Sequence, residues 1–118
     1  MLTPAQYIKQ NAPAAAENCI KAYLWSGVPF RESLNKNADY LCRFHYVPAG
    51  AFVAAVVDIL RTITTPQAFA TFIDKRRALT VSPCYKSAAD YIKGEFETDC
   101  TAADIARIIR LEISTCRE

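Results

Sequence analysis

The sequence has few of the residues that form phosphate-binding loops and tight β-hairpins. Only three glycines occur among its 118 residues, against six prolines. Glycine-rich loops and two-residue hairpin turns need backbone conformations that glycine adopts without steric cost. The scarcity of glycine therefore disfavours both a glycine-rich nucleotide-binding fold and a hairpin-based β architecture.

The chain also has no large excess of charge of either sign. Its net charge is +2 at neutral pH. Residues 1–82 contain nine basic and five acidic side chains, and residues 83–118 contain five basic and seven acidic ones. Proteins that bind nucleic acids concentrate many cations on one face. Nucleic acid is therefore an unlikely partner, and the acidic last third argues against it further.

No stretch of the sequence is long and apolar enough to span a bilayer. The uncharged segment from Val47 to Val57 is far shorter than the ~20 residues that a transmembrane helix needs. The first residues show neither the basic nor the apolar region of a signal peptide. Apolar residues make up 52% and charged residues 22%. We expect no membrane association and one soluble globular domain over residues 1–118.

Groups for metal binding and catalysis are also scarce. The chain has one histidine and no Cys-x-x-Cys pair, so we expect no metal site and no cofactor. Cys42 and His45 are three residues apart and would share a helix face, so they could form a thiol–imidazole catalytic dyad. No third residue is available to orient that pair, and no two carboxylates have a spacing suited to acid–base catalysis. We therefore predict no catalytic residues and no enzymatic activity.

What the sequence does contain is a series of helix-start signals. Prolines that suit the first turn of a helix follow Thr3, Val47, Thr65 and Ser82, and three of these four residues can act as N-caps. Apolar residues then recur at helical spacing, with further stripes after Pro13 and Pro29. The pattern predicts an all-α fold, a compact antiparallel bundle of about five to six helices. Residues 40–47 are aromatic enough to be extended, so the helix before them is predicted to end early.

Two late helices are predicted over residues 83–97 and 101–116. Asp99 or Thr101 can cap the second of them. If the two helices form an antiparallel hairpin, Cys84 and Cys116 face each other at its open end. Cys100 and Cys116 would instead be roughly 24 Å apart along one helix, well beyond disulfide reach.

The five cysteines allow two interpretations. They are either small buried side chains in a reducing compartment or partly paired as disulfides in an oxidising one. If disulfides form, a Cys84–Cys116 bond is the first choice and a Cys19–Cys42 bond the second. Cys100 is then left unpaired. The localisation follows from this choice: periplasmic if the cysteines are bonded, and cytoplasmic otherwise.

Several apolar side chains fall outside the predicted core stripes and suggest a protein-binding surface. Trp25 lies off the stripe of its helix, just before a predicted C-cap at Gly27. Ile108 and Leu111 lie outside the core face of the last helix, where they form either a second buried flank or a partner surface. Further aromatic residues lie near Trp25 in sequence, namely Tyr23, Phe30, Tyr40, Phe44 and Tyr46, although Phe30 also begins the apolar stripe after Pro29. The candidate partner-binding residues are Trp25, Phe30, Tyr46, Ile108 and Leu111. The basic run from Lys75 to Arg77 is interpreted as a complement to a helix dipole.

Four segments of the chain resemble a known family. They read Cys-Ile-Lys-Ala-Tyr-Leu-Trp-Ser-Gly-Val at residues 19–28, Leu-Cys at 41–42, Val-Pro-Ala-Gly-Ala-Phe-Val-Ala-Ala-Val-Val-Asp-Ile-Leu at 47–60 and Ser-Pro-Cys at 82–84. Together they resemble the small helical Rap/Tai immunity proteins, which protect bacteria from type VI secretion amidase effectors in the periplasm. The similarity extends over about half of the chain. This sequence differs from the family because it shows no signal peptide and continues for 34 residues past Cys84.

The resemblance implies a non-enzymatic inhibitor that occludes the active site of an effector enzyme, acting from a homodimer. A second hypothesis with the same mechanism is a phage-encoded inhibitor of a bacterial defence complex, of the anti-CRISPR type, which predicts reduced cysteines. A nucleic-acid-binding regulator is the third and weakest alternative.

Overall fold

The computed structural model describes residues 2–79 and 85–116, and within these ranges it contains six α-helices and no strand. The helices are α1 (Pro4–Ser26), α2 (Phe30–His45), α3 (Ala49–Thr62), α4 (Pro66–Ala78), α5 (Ala88–Glu95) and α6 (Ala102–Ile113). The predicted all-α class and helical bundle are confirmed. None of the helices in the described ranges is both long and apolar enough to cross a membrane.

The predicted N-caps position the starts of three helices. The Thr3 hydroxyl accepts a hydrogen bond from the Gln6 amide at 3.2 Å, and the Gln6 side chain accepts one from the Thr3 amide at 2.9 Å. Thr65 caps α4 with its hydroxyl. Of the two residues predicted to cap α6, Thr101 does so, in a reciprocal capping box with Asp104. These bonds satisfy backbone amides that have no partner inside the helix.

Two predicted helix boundaries in the first half of the chain are wrong. Pro13 does not begin a helix but lies inside α1, which continues without interruption to Ser26. A proline inside a helix costs about 3 kcal/mol, and the buried side chains that follow it offset this cost: Ala15, Ala16, Cys19 and Ile20. The segment predicted to be extended is helical as far as His45, because Leu41 continues the buried stripe of α2.

The predicted hairpin of two long late helices is also wrong. The described part of this region begins at Tyr85, and α5 begins only at Ala88, with Ser87 as its cap. Ser82, Pro83 and Cys84 lie outside the described residues. α5 packs mainly against α4, and α6 packs mainly against α4 and α3. α5 has only eight residues, too few to extend along the twelve residues of α6.

The helices form two groups around one core. α1, α2 and α3 pack against one another, and α4 packs with α5 and α6. α6 joins the groups by contacting α3 and α2, and its Glu112 side chain accepts a hydrogen bond from the Phe30 amide at 3.0 Å. The core contains four fully buried phenylalanines from different parts of the chain: Phe30, Phe52, Phe69 and Phe96.

A buried ionic network links α1 to α4 and α5. Glu17, 3% exposed, is the buried charged residue of the described chain. One of its carboxylate oxygens accepts from Arg76 Nε at 2.7 Å, and the other accepts from the Tyr91 hydroxyl at 2.6 Å and from Lys21 Nζ at 3.0 Å. Lys21 also pairs with Glu95 at 3.1 Å. Both oxygens are therefore fully engaged in holding the two groups of helices together.

Candidate functional site

An exposed cluster of rings lies where the C-terminal end of α2 meets the N-terminal part of α1. Its members, which we call the aromatic surface, are Tyr7, Tyr40, Phe44, His45 and Tyr46. The His45 ring stacks on Tyr7 with a centroid distance of 4.9 Å and lies 5.9 Å from the Tyr40 ring. Tyr40 and Phe44 are in contact with a centroid distance of 4.9 Å. Four of the rings are therefore held by contacts with one another, and Tyr46 follows His45 directly in the chain.

Tyr40, Phe44 and Tyr46 are, together with Trp25, the exposed aromatic residues of the described chain. The exposed fractions are 54% for Tyr40, 60% for Phe44 and 85% for Tyr46. Four of the other five phenylalanines, by contrast, are fully buried in the core. Single exposed apolar side chains are common on proteins, but adjacent ones that form a patch mark interaction sites.

The backbone at Tyr46 adds a second unusual feature to this surface. Tyr46 ends α2 in the left-handed conformation, with φ of 58°, and its amide donates to the Leu41 carbonyl. Glycine is the usual residue at this position of a helix because a Cβ atom is disfavoured there. Gly27 has the same role at the end of α1, with φ of 66°. At the end of α2 the chain instead places a tyrosine almost wholly in solvent.

Charge around the aromatic surface is unevenly distributed. Asp39 is its one acidic neighbour on α2, and Arg43 pairs with it at 3.3 Å. No acidic residue occurs between residues 40 and 57. Lys36 lies one helical turn before Tyr40, is exposed, and forms no ion pair with the described residues. The balance of charge beside the rings is therefore positive.

The five residues predicted to bind a partner do not form one surface. Phe30 is fully buried in the core and is therefore wrong as a contact residue. Ile108 is partly buried and packs against the core, so it belongs to a buried flank, one of the two alternatives predicted for it. Trp25, Tyr46 and Leu111 are exposed, at 52%, 85% and 64%.

Trp25 and Tyr46 lie at opposite ends of the first helix pair. Tyr7, next to the α2 terminus, precedes Trp25 by eighteen residues of α1, a separation of about 27 Å. The indole N–H of Trp25 donates to the Phe96 carbonyl at 2.6 Å, and the Lys21 ammonium lies 6.0 Å from the Trp25 ring centre. Trp25 therefore attaches the segment after α5 to α1, while the aromatic surface is elsewhere.

The sequence interpretation mentioned Tyr40 and Phe44 but did not select them as site residues, and it missed Tyr7. A usable signal was present for the first two. They are four residues apart and lie off the buried stripe of α2, so they share an outward face. The contact of Tyr7 with His45 depends on the packing of α1 against α2, which no local pattern specifies.

The other candidate chemical groups have structural roles in the described chain. Arg76 of the basic run binds Glu17, and Arg77 pairs with Asp74 at 2.8 Å and donates to the Tyr85 carbonyl at 3.0 Å. Burial raises the pKa of Glu17, but hydrogen bonds from Tyr91, Arg76 and Lys21 outweigh it, so the pKa lies below its usual value. A carboxylate that is ionised and fully bonded is poorly suited to accept a proton from a substrate.

The cysteines do not form the predicted Cys19–Cys42 bond. Cys19 is buried and Cys42 is exposed, and both are free thiols, as are Cys100 and Cys116. Burial and the neighbouring Cys116 raise the pKa of Cys19 to about 12. Burial also raises the pKa of Cys116, the other half of the predicted bond to Cys84. These shifts disfavour the reactive thiolate at both positions.

The described chain also contains open cavities, and these have few side chains suited to catalysis. A cavity of about 620 Å³ between α2 and α3 is lined mainly by small side chains, with Asp39, Asp58, Arg61 and Cys116 among its polar or ionisable residues. No group of three or more His, Cys, Asp or Glu side chains in the described ranges could hold a metal ion.

Comparison with known proteins finds no matching family model, no matching curated protein and no matching solved structure. The aromatic surface is thus the feature with the clearest functional implication.

Proposed function

We propose that this protein is a small non-enzymatic inhibitor that binds a partner protein and occludes its working surface. The observation that supports the proposal is the aromatic surface, in which the exposed rings of Tyr40 and Phe44 are in contact at the end of α2 and are followed by the exposed Tyr46. Tyrosine and phenylalanine contribute large contact areas with little loss of side-chain entropy, and aromatic residues are enriched in protein interfaces.

The form of the proposal that follows from the family resemblance is immunity against a secreted amidase effector. Its test uses purified type VI amidase effectors and measures both complex formation by size-exclusion chromatography and hydrolysis of peptidoglycan. We expect the wild-type chain to inhibit one effector class at near-equimolar concentration. The Tyr40→Ala/Phe44→Ala double variant should lose at least about tenfold in affinity, because a central contact residue contributes more than about 1 kcal/mol.

Leu79→Ala is the matched control, because Leu79 is 72% exposed and lies outside the aromatic surface. It should inhibit as well as the wild type does. Full hydrolysis by all effector classes in the presence of excess wild-type chain would reject the immunity version.

A second candidate is an inhibitor of a bacterial defence complex that acts in a reducing compartment. This candidate is consistent with the arrangement of Cys19, Cys42, Cys100 and Cys116, which are not bonded to one another. Thiol titration of the denatured, unreduced protein purified from its native compartment separates the two. Five free thiols support the reducing-compartment inhibitor, whereas one or three indicate disulfides and support the exported form.

A further inference from the structure

We infer that the aromatic surface binds an acidic segment of the partner protein, one in which carboxylates stand next to large apolar side chains. This inference rests on the proposed function and specifies the chemistry of the partner. The evidence comes from the arrangement of charge along α2 relative to the exposed rings.

The helical positions of the cations place them along one edge of the rings. At 100° per residue, Lys36, Tyr40 and Phe44 are successive members of one exposed stripe of α2. Arg43 falls beside this stripe, about 20° from Lys36 on the side away from Tyr40. A segment lying across Tyr40 and Phe44 would therefore have an ammonium and a guanidinium along one side.

The single acidic residue nearby does not cancel this charge. Asp39 lies on the far side of Arg43 from the rings and pairs with that side chain at 3.3 Å. The pair is about two-thirds exposed on both sides, so water and salt weaken it and Arg43 stays available to a second carboxylate. Residues 40–57 contain no acidic side chain, so this segment adds no further carboxylate that would repel a carboxylate of the partner.

The same features fit a protein segment better than a nucleic acid. Affinity for a polyanionic backbone grows with the number of phosphates that Lys and Arg neutralise. Only two cations of α2, Lys36 and Arg43, border the rings, which is few for a polyanionic backbone. The rings also contact one another, as in the 4.9 Å pairs of Tyr7 with His45 and Tyr40 with Phe44, which reduces the free faces on which bases could stack.

The test is selection of a phage-displayed random peptide library on the immobilised full chain. Peptides that also bind the Tyr40→Ser/Phe44→Ser variant are removed from the selected pool. Leu79→Ser is the control, because it replaces an exposed apolar side chain outside the aromatic surface. We expect the peptides enriched on wild type and lost on the double variant to combine Asp or Glu with Leu, Phe or Trp. Circular dichroism of each variant verifies that the helices are intact.

Synthetic versions of the enriched peptides then test the role of charge. Lys36→Glu should weaken their binding by roughly threefold to tenfold, Lys36→Gln should weaken it less, and added salt should reduce the difference. Because Lys36 is exposed and unpaired with described residues, neither change should alter the unfolding transition.

The remaining outcomes separate the inference from the proposed function. Enriched peptides that are neutral or basic but still depend on Tyr40 and Phe44 would overturn the inference and leave protein binding intact. The absence of any peptide that depends on these rings would overturn both. Binding of single-stranded oligo(dT) or of phosphatidylglycerol-containing vesicles that is lost in the double variant would replace the protein partner with that ligand.

Discussion

Tyr46 shows how a single residue can be costly to the fold and useful at a surface. Its left-handed backbone conformation is one that glycine adopts freely and a residue with a Cβ does not. We expect Tyr46→Gly to raise the free energy of unfolding by about 0.5–1 kcal/mol, measured by urea denaturation, because the strain is removed. Tyr46→Ala keeps the Cβ and should not stabilise. A glycine variant less stable than the alanine variant would mean that the tyrosine ring supports the fold.

At the scale of residues, the sequence was informative about caps and less so about exposure. Thr3, Thr65 and Thr101 could be recognised because a cap depends on three or four neighbouring residues. Phe30 was misassigned to the surface, since its burial depends on Tyr23 of α1, which meets its ring edge-on, and on Glu112 of α6, which binds its amide. Such contacts are decided by packing between distant parts of the chain.

Two helical glycines give opposite predictions at the scale of elements. Gly50 lies in the first turn of α3, and a Cβ added there meets no atom within 4 Å. Gly50→Ala should therefore stabilise the protein by about 0.5–1 kcal/mol, the difference between the two residues in a helix. Gly94 of α5 is different, because an added Cβ would lie 2.7 Å from a ring carbon of Tyr85.

Gly94→Ala should destabilise the protein by about 1–3 kcal/mol, the usual cost of overpacking. The Tyr85 ring cannot easily move away, since its hydroxyl donates to Glu95 at 3.1 Å and its face meets Tyr91 at 5.2 Å. Thermal unfolding of both variants under the same conditions measures the pair. Equal effects at the two sites would contradict the close approach of Tyr85 to α5.

The number and class of the helices could be predicted because apolar periodicity and caps are local. The lengths of two helices could not be predicted in this way. Pro13 is a local signal to begin a helix, yet burial of the side chains after it keeps α1 continuous. The late helix is predicted over residues 83–97, and in the described part of this range α5 begins only at Ala88, with Ser87 as its cap. In α1, packing of the helix against its neighbours overrides the local preference.

For the whole molecule, the ionic network around Glu17 predicts a dependence of stability on pH. The pKa of Glu17 in the folded protein lies below its usual value of 4.5. The folded state therefore binds fewer protons than the unfolded state just below pH 4.5. The stabilisation is complete above that pH and is lost as the pH falls through the folded-state pKa.

Glu17→Gln should remove this part of the pH dependence and lower the free energy of unfolding at pH 7 by about 3 kcal/mol, since it leaves buried cations without their carboxylate. Urea denaturation between pH 3 and pH 7 measures both effects. Asp39→Asn is the control and should change stability by less than about 1 kcal/mol, because its pair with Arg43 is exposed. A Gln variant with an unchanged acid transition would show that other groups determine it.

Only the Glu17–Lys21 pair of this network is local, with its members four residues apart. Arg76 and Tyr91 are 59 and 74 residues from Glu17, so their contacts with it could not be predicted from the sequence. The same is true of the aromatic surface as a unit, whose Tyr7 and His45 meet only when α1 and α2 pack together. Sequence patterns identified exposed aromatic candidates one at a time. Which of them are neighbours depends on the arrangement of the helices in space.

The distance along the chain between Glu17 and its partners has a consequence for synthesis on the ribosome. The first three helices emerge with a carboxylate facing the position that Arg76 and Tyr91 will later occupy. Until those residues have left the exit tunnel, closing the core around Glu17 would bury a carboxylate that has only Lys21 of its own helix as a partner. The nascent N-terminal half is therefore expected to stay loosely associated and to become native only after most of the chain has been translated.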